Sequence, residues 1–190
     1  MDNREAIIQA TIALIEEKGE HLDEITVREI CKRADVGLGL VNYHFGNKDA
    51  LIALCVERII NQIVEQFQHI REQTEGLTPF EKLDQLGYMT LDFLFKHYAV
   101  SRISILTDMQ TPKVNDNTHR TYAAYLPLVS ACRPDWDEET VTRKTFCLIT
   151  VMQQTFLRHG TVSQMLGKDL TTKEVRRSFH TQILHDILEV

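Results

Sequence analysis

The 190-residue chain contains no long uninterrupted apolar run. None approaches the roughly 20 residues that a membrane-crossing helix needs. The opening Met1-Asp2-Asn3-Arg4-Glu5 lacks a basic start followed by an apolar stretch, so no secretory signal is expected and the expected location is the cytoplasm. Proline is scarce, at four residues, and no segment is of low complexity, which speaks against long disordered tails. Strand-like alternation is missing, so no sheet is expected. The four cysteines Cys31, Cys55, Cys132 and Cys147 form no CxxC pair, and the eight histidines show no HExxH or His/Cys ligand spacing. No metal or other cofactor is therefore expected. A GxSxG elbow, a phosphate loop and a GxGxxG turn are also absent, and an enzyme is not expected.

What is present suits a globular protein of one large or two small domains, with 43% apolar and 25% charged residues. The net charge of −6 argues against a protein that coats nucleic acid non-specifically. Residues 26–48 depart from that balance. They hold two acids, Glu29 and Asp35, and four bases, Arg28, Lys32, Arg33 and Lys48, a net of +2. The cysteines read as four buried thiols acting as small hydrophobes. A redox sensor would instead need a thiol of low pKa beside a cation, and in sequence only Cys31, next to Lys32 and Arg33, has one.

Helix starts recur as an N-cap residue followed three positions later by glutamate. The pairs are Asp2 with Glu5, Thr26 with Glu29, Thr78 with Glu81, Asp135 with Glu138 and Thr171 with Glu174. Pro79 falls at a first helical position, where its missing N–H is no loss. The expected first helix runs from Asn3 to Lys18, buries Ile7, Ile8, Ala10, Thr11, Leu14 and Ile15, and is capped by Gly19. Short helices follow at Val27 to Ala34 and Leu38 to His44, joined by the turn Asp35-Val36-Gly37. A long helix runs from Lys48 to about Arg71. Further helices are expected at 79–97, 100–110, 117–131, 136–159 and 171–189, with Gly160 capping the penultimate one. The sum is an all-α chain of about nine helices, divided into a three-helix head at 1–47 and a larger helical body at 48–190.

Two short helices joined by a three-residue turn and braced by a preceding helix form a helix-turn-helix. The second helix can enter the major groove of DNA while the first lies across the backbone. Thr26 caps a helix start, and Arg28 in its first turn can reach phosphate or a base edge. Asn42 can bond an adenine edge, and Leu38 and Leu40 can touch thymine methyls or pack inward. Tyr43, His44 and Lys48 suit phosphate contacts. Gly39 permits close backbone approach, and Phe45 suits the core.

The stretches Ile25-Thr26-Val27-Arg28-Glu29-Ile30, Ala34-Asp35-Val36-Gly37 and Val41-Asn42-Tyr43-His44-Phe45-Gly46-Asn47-Lys48-Asp49-Ala50-Leu51 resemble the signature of the TetR family of repressors. The resemblance covers about residues 5 to 58. It implies an N-terminal DNA-binding domain and a C-terminal domain for effector binding and dimerisation. It also places Thr26, Arg28, Gly39, Asn42, Tyr43, His44 and Lys48 at DNA-contacting positions. Two residues depart from the family's pattern. Asp35 stands where a turn glycine is usual, although aspartate tolerates left-handed backbone. Gly37 stands where a serine or threonine usually caps the recognition helix, which removes a hydroxyl.

In the body, Val175, Phe179, Ile183 and Ile187 share one helix face, and Phe146, Ile149, Gln153, Phe156 and Leu157 share another. Each face can pack within one subunit or against a second copy. A helix-turn-helix binds palindromes best as a dimer, and the resemblance implies that these helices pair in a four-helix bundle. Phe67, Tyr88, Met89, Phe93, Met109, Tyr122, Tyr125, Met152 and Phe156 are candidates to line an effector pocket, or else core. Asp92, His97, Arg102 and Asp108 are candidates to orient a small-molecule ligand. The implied function is that of a sequence-specific regulator of transcription. It would be a dimeric repressor of a double-stranded DNA operator, released by a small-molecule effector. The alternatives are a helical protein-interaction module that has lost DNA binding and a thiol-based sensor.

Overall fold

The computed structural model describes residues 2–18, 21, 24–71 and 76–189, with the side chains of 62–71 outside the described set. Among the described residues there are ten helices and no strand. They are α1 (Asn3–Lys18), α2 (Val27–Ala34), α3 (Gly39–Phe45), α4 (Lys48–Arg71), α5 (Pro79–Lys96), α6 (Tyr98–Gln110), α7 (Asn117–Cys132), α8 (Glu138–Leu157), α9 (His159–Leu166) and α10 (Lys173–Leu188). None of the described helices is long and apolar enough to cross a membrane.

The chain divides into two compact units. The first comprises residues 1–71 and 97–107. Its core gathers Ile7, Ile8 and Ile15 of α1, Ile30 of α2, Val41 of α3, Leu51 and Cys55 of α4 and Val100 of α6. The core that covers α1, α2 and α3 thus draws on α4 and α6 as well. Leu51, Ile52, Cys55 and Val56 of α4 pack in one cluster with Ile30 and Val41, which are fully buried.

The cap grammar explains why these short helices form. Thr26 and Glu29 close a capping box at the start of α2, each side chain bonding the other's backbone N–H. Asp35 ends α2 in left-handed backbone, φ 54° and ψ 48°. Aspartate bears that conformation better than most residues, so the turn survives without the usual glycine. Gly46, at φ 80°, ends α3 by donating its N–H to the Asn42 carbonyl. Asn47 then accepts the Ala50 N–H at 2.8 Å and starts α4.

The second unit comprises residues 72–96 and 108–190. Leu83 and Leu91 of α5, Tyr125 and Val129 of α7, Leu148 and Met152 of α8, and Leu184 and Leu188 of α10 form its core. The box of Thr78 and Glu81 forms as its spacing implies. Other boundaries differ from the expected ones. The first capping pair is not closed, because Glu5 is engaged by Arg58 at 2.7 Å and Gln9 at 2.9 Å. The cap of α8 is Asp137, which accepts the Thr140 N–H at 2.7 Å, while Asp135 is held by Arg133. Thr171 bonds Asp169 rather than capping α10. Gly160 lies inside α9, and the residue that ends α9 in left-handed backbone is Gly167, φ 62°. The expected cap Gly19 is outside the described residues.

One contact between α5 and α10 is unusually close. A Cβ on Gly87 would lie 1.8 Å from His180 Nε2. His180 is 1% exposed and its Nδ1 lies 3.3 Å from the Asp84 carboxylate, which also accepts the Thr181 hydroxyl at 2.8 Å. Burial lowers the His180 pKa, opposed by Asp84.

Candidate nucleic-acid interface

The segment 26–48 is built from fixed and free side chains, and the structure separates them. Thr26 is fixed. Its hydroxyl accepts the Glu29 N–H at 3.2 Å and donates to Glu29 Oε2 at 3.0 Å. The Glu29 carboxylate also accepts the Thr26 N–H at 3.0 Å and meets Lys18 at 3.1 Å, and these bonds, the Thr26 N–H first, hold its pKa below the usual carboxylate range. The Thr26 hydroxyl is thus committed to holding the start of α2. Lys48 is fixed as well, since its ammonium donates to the Ile25 carbonyl at 3.0 Å. Arg33 is paired with Glu17 at 2.7 Å.

That leaves Arg28 and Lys32. Both are exposed, and neither has a hydrogen-bonding or ionic partner among the described residues. The local positive charge that the sequence counts as four cations is carried outward by two of them. Lys32 was not a site candidate, although its place in the last turn of α2 was readable. Arg4 was missed too. Its guanidinium lies 5.4 Å from the centre of the Phe45 ring, a contact across 41 residues with no local sequence signal.

On α3 the two leucines part company. Leu40 is half-buried against the head core, beside fully buried Val41. Of the two roles open to it, inward packing is the one realised. Leu38 is 58% exposed, and Tyr43 is 80% exposed. Asn42 is exposed, and its side chain has no partner among the described residues. His44 is half-buried, with its ring edge-on to Tyr43 at 4.9 Å and tilted against Phe45 at 6.0 Å. A Cβ on Gly39 would meet nothing within 4 Å, so no crowding inside the head requires a glycine there. As Gly37 implies, α3 starts without a side-chain cap.

The thiols do not meet the requirement for a sensor. Cys31 is buried, and burial pushes its pKa up despite Lys32 and Arg33 next to it in sequence. Burial pushes Cys55 up to about 12, and Cys132 is raised for the same reason. Cys147 alone is exposed. In the folded protein at pH 8, iodoacetamide is expected to alkylate Cys147 first, and Cys55 only after denaturation. Mass spectrometry of a time course checks this, and Cys31 or Cys55 reacting as fast as Cys147 would contradict it.

In the body the pocket candidates scatter. Tyr125 is fully buried with its hydroxyl bonded to Thr90 at 2.7 Å, Met152 is 4% exposed, and Phe156 is fully buried against Phe95 at 5.5 Å. These three are core. Tyr88, Met89, Phe93 and Tyr122 are half-buried, Met109 is 47% exposed, and the Phe67 side chain lies outside the described residues. Asp92 is held by Arg176 at 2.9 Å and Lys173 at 3.2 Å. Asp108 accepts both the N–H and the hydroxyl of Thr118 at 2.9 Å, and burial raises its pKa. His97 is half-buried and Arg102 exposed. An open groove does exist, lined by Leu126, Pro127, Ser130, Trp136, Val141 and Thr142, none of which was a candidate.

The candidates for a surface between subunits divide similarly. Phe146 is 63% exposed, and Leu157, Val175 and Phe179 are half-buried. Ile183 and Ile187 pack partly against the body core. Phe156 is fully buried within the subunit, and half-buried Gln153 donates its side-chain amide to the Thr118 hydroxyl at 2.9 Å.

Residues 7–55 match the family model for bacterial regulatory proteins of the tetR family. Among curated proteins, the chain is 33% identical over 76 residues to the HTH-type transcriptional regulator BetI 2 of Chromohalobacter salexigens, covering 40% of this chain and 36% of that one. It is 34% identical over 83 residues to the HTH-type transcriptional regulator HbdR of Aromatoleum sp., covering 43% and 34%. The matched stretch thus spans about a third of these relatives. Solved structures extend the likeness along the chain at low identity. Thermus thermophilus FadR, a TetR family repressor in complex with lauroyl-CoA, matches with a TM-score of 0.64 at 17% identity, covering 94% of this chain and 93% of that one. Bacillus subtilis FadR in complex with stearoyl-CoA matches with a TM-score of 0.54 at 18% identity, covering 96% of each.

Proposed function

We propose that this protein, whose residues 7–55 match the family model for bacterial regulatory proteins of the tetR family, is a sequence-specific transcription regulator. It binds duplex DNA as a dimer and leaves it when a small molecule occupies the body. The observation that carries this reading is the division of labour in segment 26–48. Thr26, Arg33 and Lys48 are spent on holding the motif rigid, while Arg28, Lys32, Asn42 and Tyr43 point outward and are unbonded among the described residues.

Two such heads spaced about 34–36 Å apart reach successive major grooves on one face of the duplex. Arg28, Lys32 and Tyr43 then contact phosphates and set the register, and α3 reads bases. The half-buried and exposed apolar residues of α8 and α10, Phe146 and Phe179 among them, are the surface on which two copies pair. An effector acts only through its differential affinity for the DNA-spaced and DNA-incompetent states of the dimer. The two FadR proteins carry long-chain acyl-CoA, and the apolar residues of this body favour an effector with a long apolar part. Lauroyl-CoA and stearoyl-CoA are therefore the first to test. Thiol sensing has no support from the buried Cys31 and Cys55.

The test is binding to a duplex selected from a random pool, followed by fluorescence anisotropy from 50 to 300 mM salt. Arg28→Ala and Lys32→Ala are each expected to weaken all sequences alike and to flatten the slope of log K against log salt by about 1. No salt-sensitive, sequence-dependent complex under any condition would overturn the reading. Unchanged slopes in both variants would remove these two cations from the interface.

A further inference from the structure

We infer that the half-site read by this protein contains an A·T pair whose adenine is recognised by Asn42, with a thymine methyl group under Leu38 on the same or the adjacent pair. The inference rests on the DNA-binding reading above and assigns it a base.

The recognition helix, Gly39–Phe45, carries no lysine and no arginine. The commonest base contact, a bidentate arginine or lysine on guanine O6 and N7, is therefore not available from α3. Of its remaining side chains, Val41 is buried, Leu40 packs inward, and His44 and Phe45 are half-buried against each other. Gly39 has no side chain to offer. What α3 and its cap residue present outward is Leu38, Asn42 and Tyr43.

Leu38 has helical backbone, φ −53° and ψ −32°, so α3's geometry extends through it. Residues four apart on a helix are neighbours on one face, about 5–6 Å apart at Cβ. Leu38 and Asn42 therefore form one reading surface, apolar at one end and amide at the other. Gly39, beside them, lets the backbone come close.

The Asn42 amide offers one acceptor and one donor side by side. Adenine's major-groove edge offers the complement, N7 to accept and N6–H to donate. Guanine offers two acceptors, so the amide oxygen would face O6. Only thymine puts a methyl group on the major-groove edge. Leu38 there buries apolar surface, whereas over cytosine it would cover the N4 amino group without a partner.

The experiment uses the full-length protein and the best duplex recovered from a random pool. In that duplex each adenine is replaced singly by 7-deazaadenine, which lacks the N7 acceptor, and each thymine by uracil, which lacks only the methyl group. For the wild-type protein, one 7-deazaadenine position is expected to weaken binding at least about 5-fold, the lower end of the discrimination of a bidentate contact. A uracil within one step of it is expected to weaken binding about 4-fold, the worth of one buried methyl group. Asn42→Ala should lose the first sensitivity and keep the second. Leu38→Ala should do the reverse. Both positions are exposed, and an unchanged circular dichroism melt shows that each variant folds. Half-sites recovered without an A·T pair, or analogue effects that persist in the matching variant, would overturn the inference while leaving DNA binding standing. A pool that enriches no sequence would remove the DNA-binding reading and this inference with it.

Discussion

Phe156→Ala is expected to destabilise the body by about 3–5 kcal/mol, the usual result of emptying a fully buried aromatic site. Phe156 is 0% exposed and sits edge-on to Phe95 with ring centroids 5.5 Å apart. Met152, one turn earlier on α8, is 4% exposed and belongs to the core of the second unit. Alanine removes the ring that meets Phe95 of α5, and the cost is the lost transfer energy plus whatever cavity remains. The T-shaped pair with Phe95 adds about 0.5–1.5 kcal/mol that area alone does not count. The single tryptophan, Trp136, lies in the second unit with Arg133 at 4.4 Å from its ring and Lys144 at 5.3 Å, so its fluorescence reports that unit's unfolding. A urea titration followed at Trp136 measures the shift directly. In the sequence Phe156 stood as a candidate for both the effector pocket and the subunit surface. Were it there, the variant would weaken ligand binding or association and leave the urea midpoint nearly in place, so a shift worth less than about 1 kcal/mol would refute the core assignment.

Gly87→Ala is expected to reverse sign with the state of residue 180. In the wild-type background it should cost about 1–3 kcal/mol, because the added methyl carbon falls 1.8 Å from His180 Nε2 and 2.1 Å from Cε1. The ring has nowhere to retreat. It is 1% exposed, and moving it would break the 3.3 Å bond to Asp84. In a His180→Ala background the ring is gone and only the intrinsic preference remains, in which alanine inside a helix is favoured over glycine by about 1 kcal/mol. The coupling between the two sites is then about 2–4 kcal/mol, large for any pair. Four urea titrations, wild type, two singles and the double, give the cycle. A coupling near zero would mean that α5 and α10 do not approach through this glycine.

Gly87 also shows where sequence reading stops. A glycine inside a helical pattern reads as a weak point, and nothing within several positions of it announces a histidine 93 residues on. The features that were legible share one property, which is that both partners lie within about four residues of each other. The boxes of Thr26 with Glu29 and Thr78 with Glu81 are of this kind, as are the stripe of α1 and the left-handed Asp35. Where local cues misled, two local candidates competed. Asp135 and Asp137 can each cap α8, and the pairing of Asp135 with Arg133 leaves Asp137 the role. Gly160 and Gly167 can each end a helix, and only Gly167 has the positive φ that uses a glycine. The head's apolar core is completed by Leu51, Cys55 and Val100, which no local pattern in the motif announces.

By itself, then, the sequence determined that this chain is helical, where most helices start, and that residues 26–48 hold two short helices joined by a tight turn. These follow from hydrogen bonds and side-chain periodicity within single turns. The tertiary structure alone decided which members of that motif face outward. Leu38 and Leu40 are two positions apart and equally apolar, yet one is exposed and the other packs on the head core. Arg28 and Arg33 carry the same charge, yet Arg33 is paired with Glu17. Exposure and free charge belong to whatever lies opposite a side chain, and the chain acquires that neighbour only when distant helices close on one another.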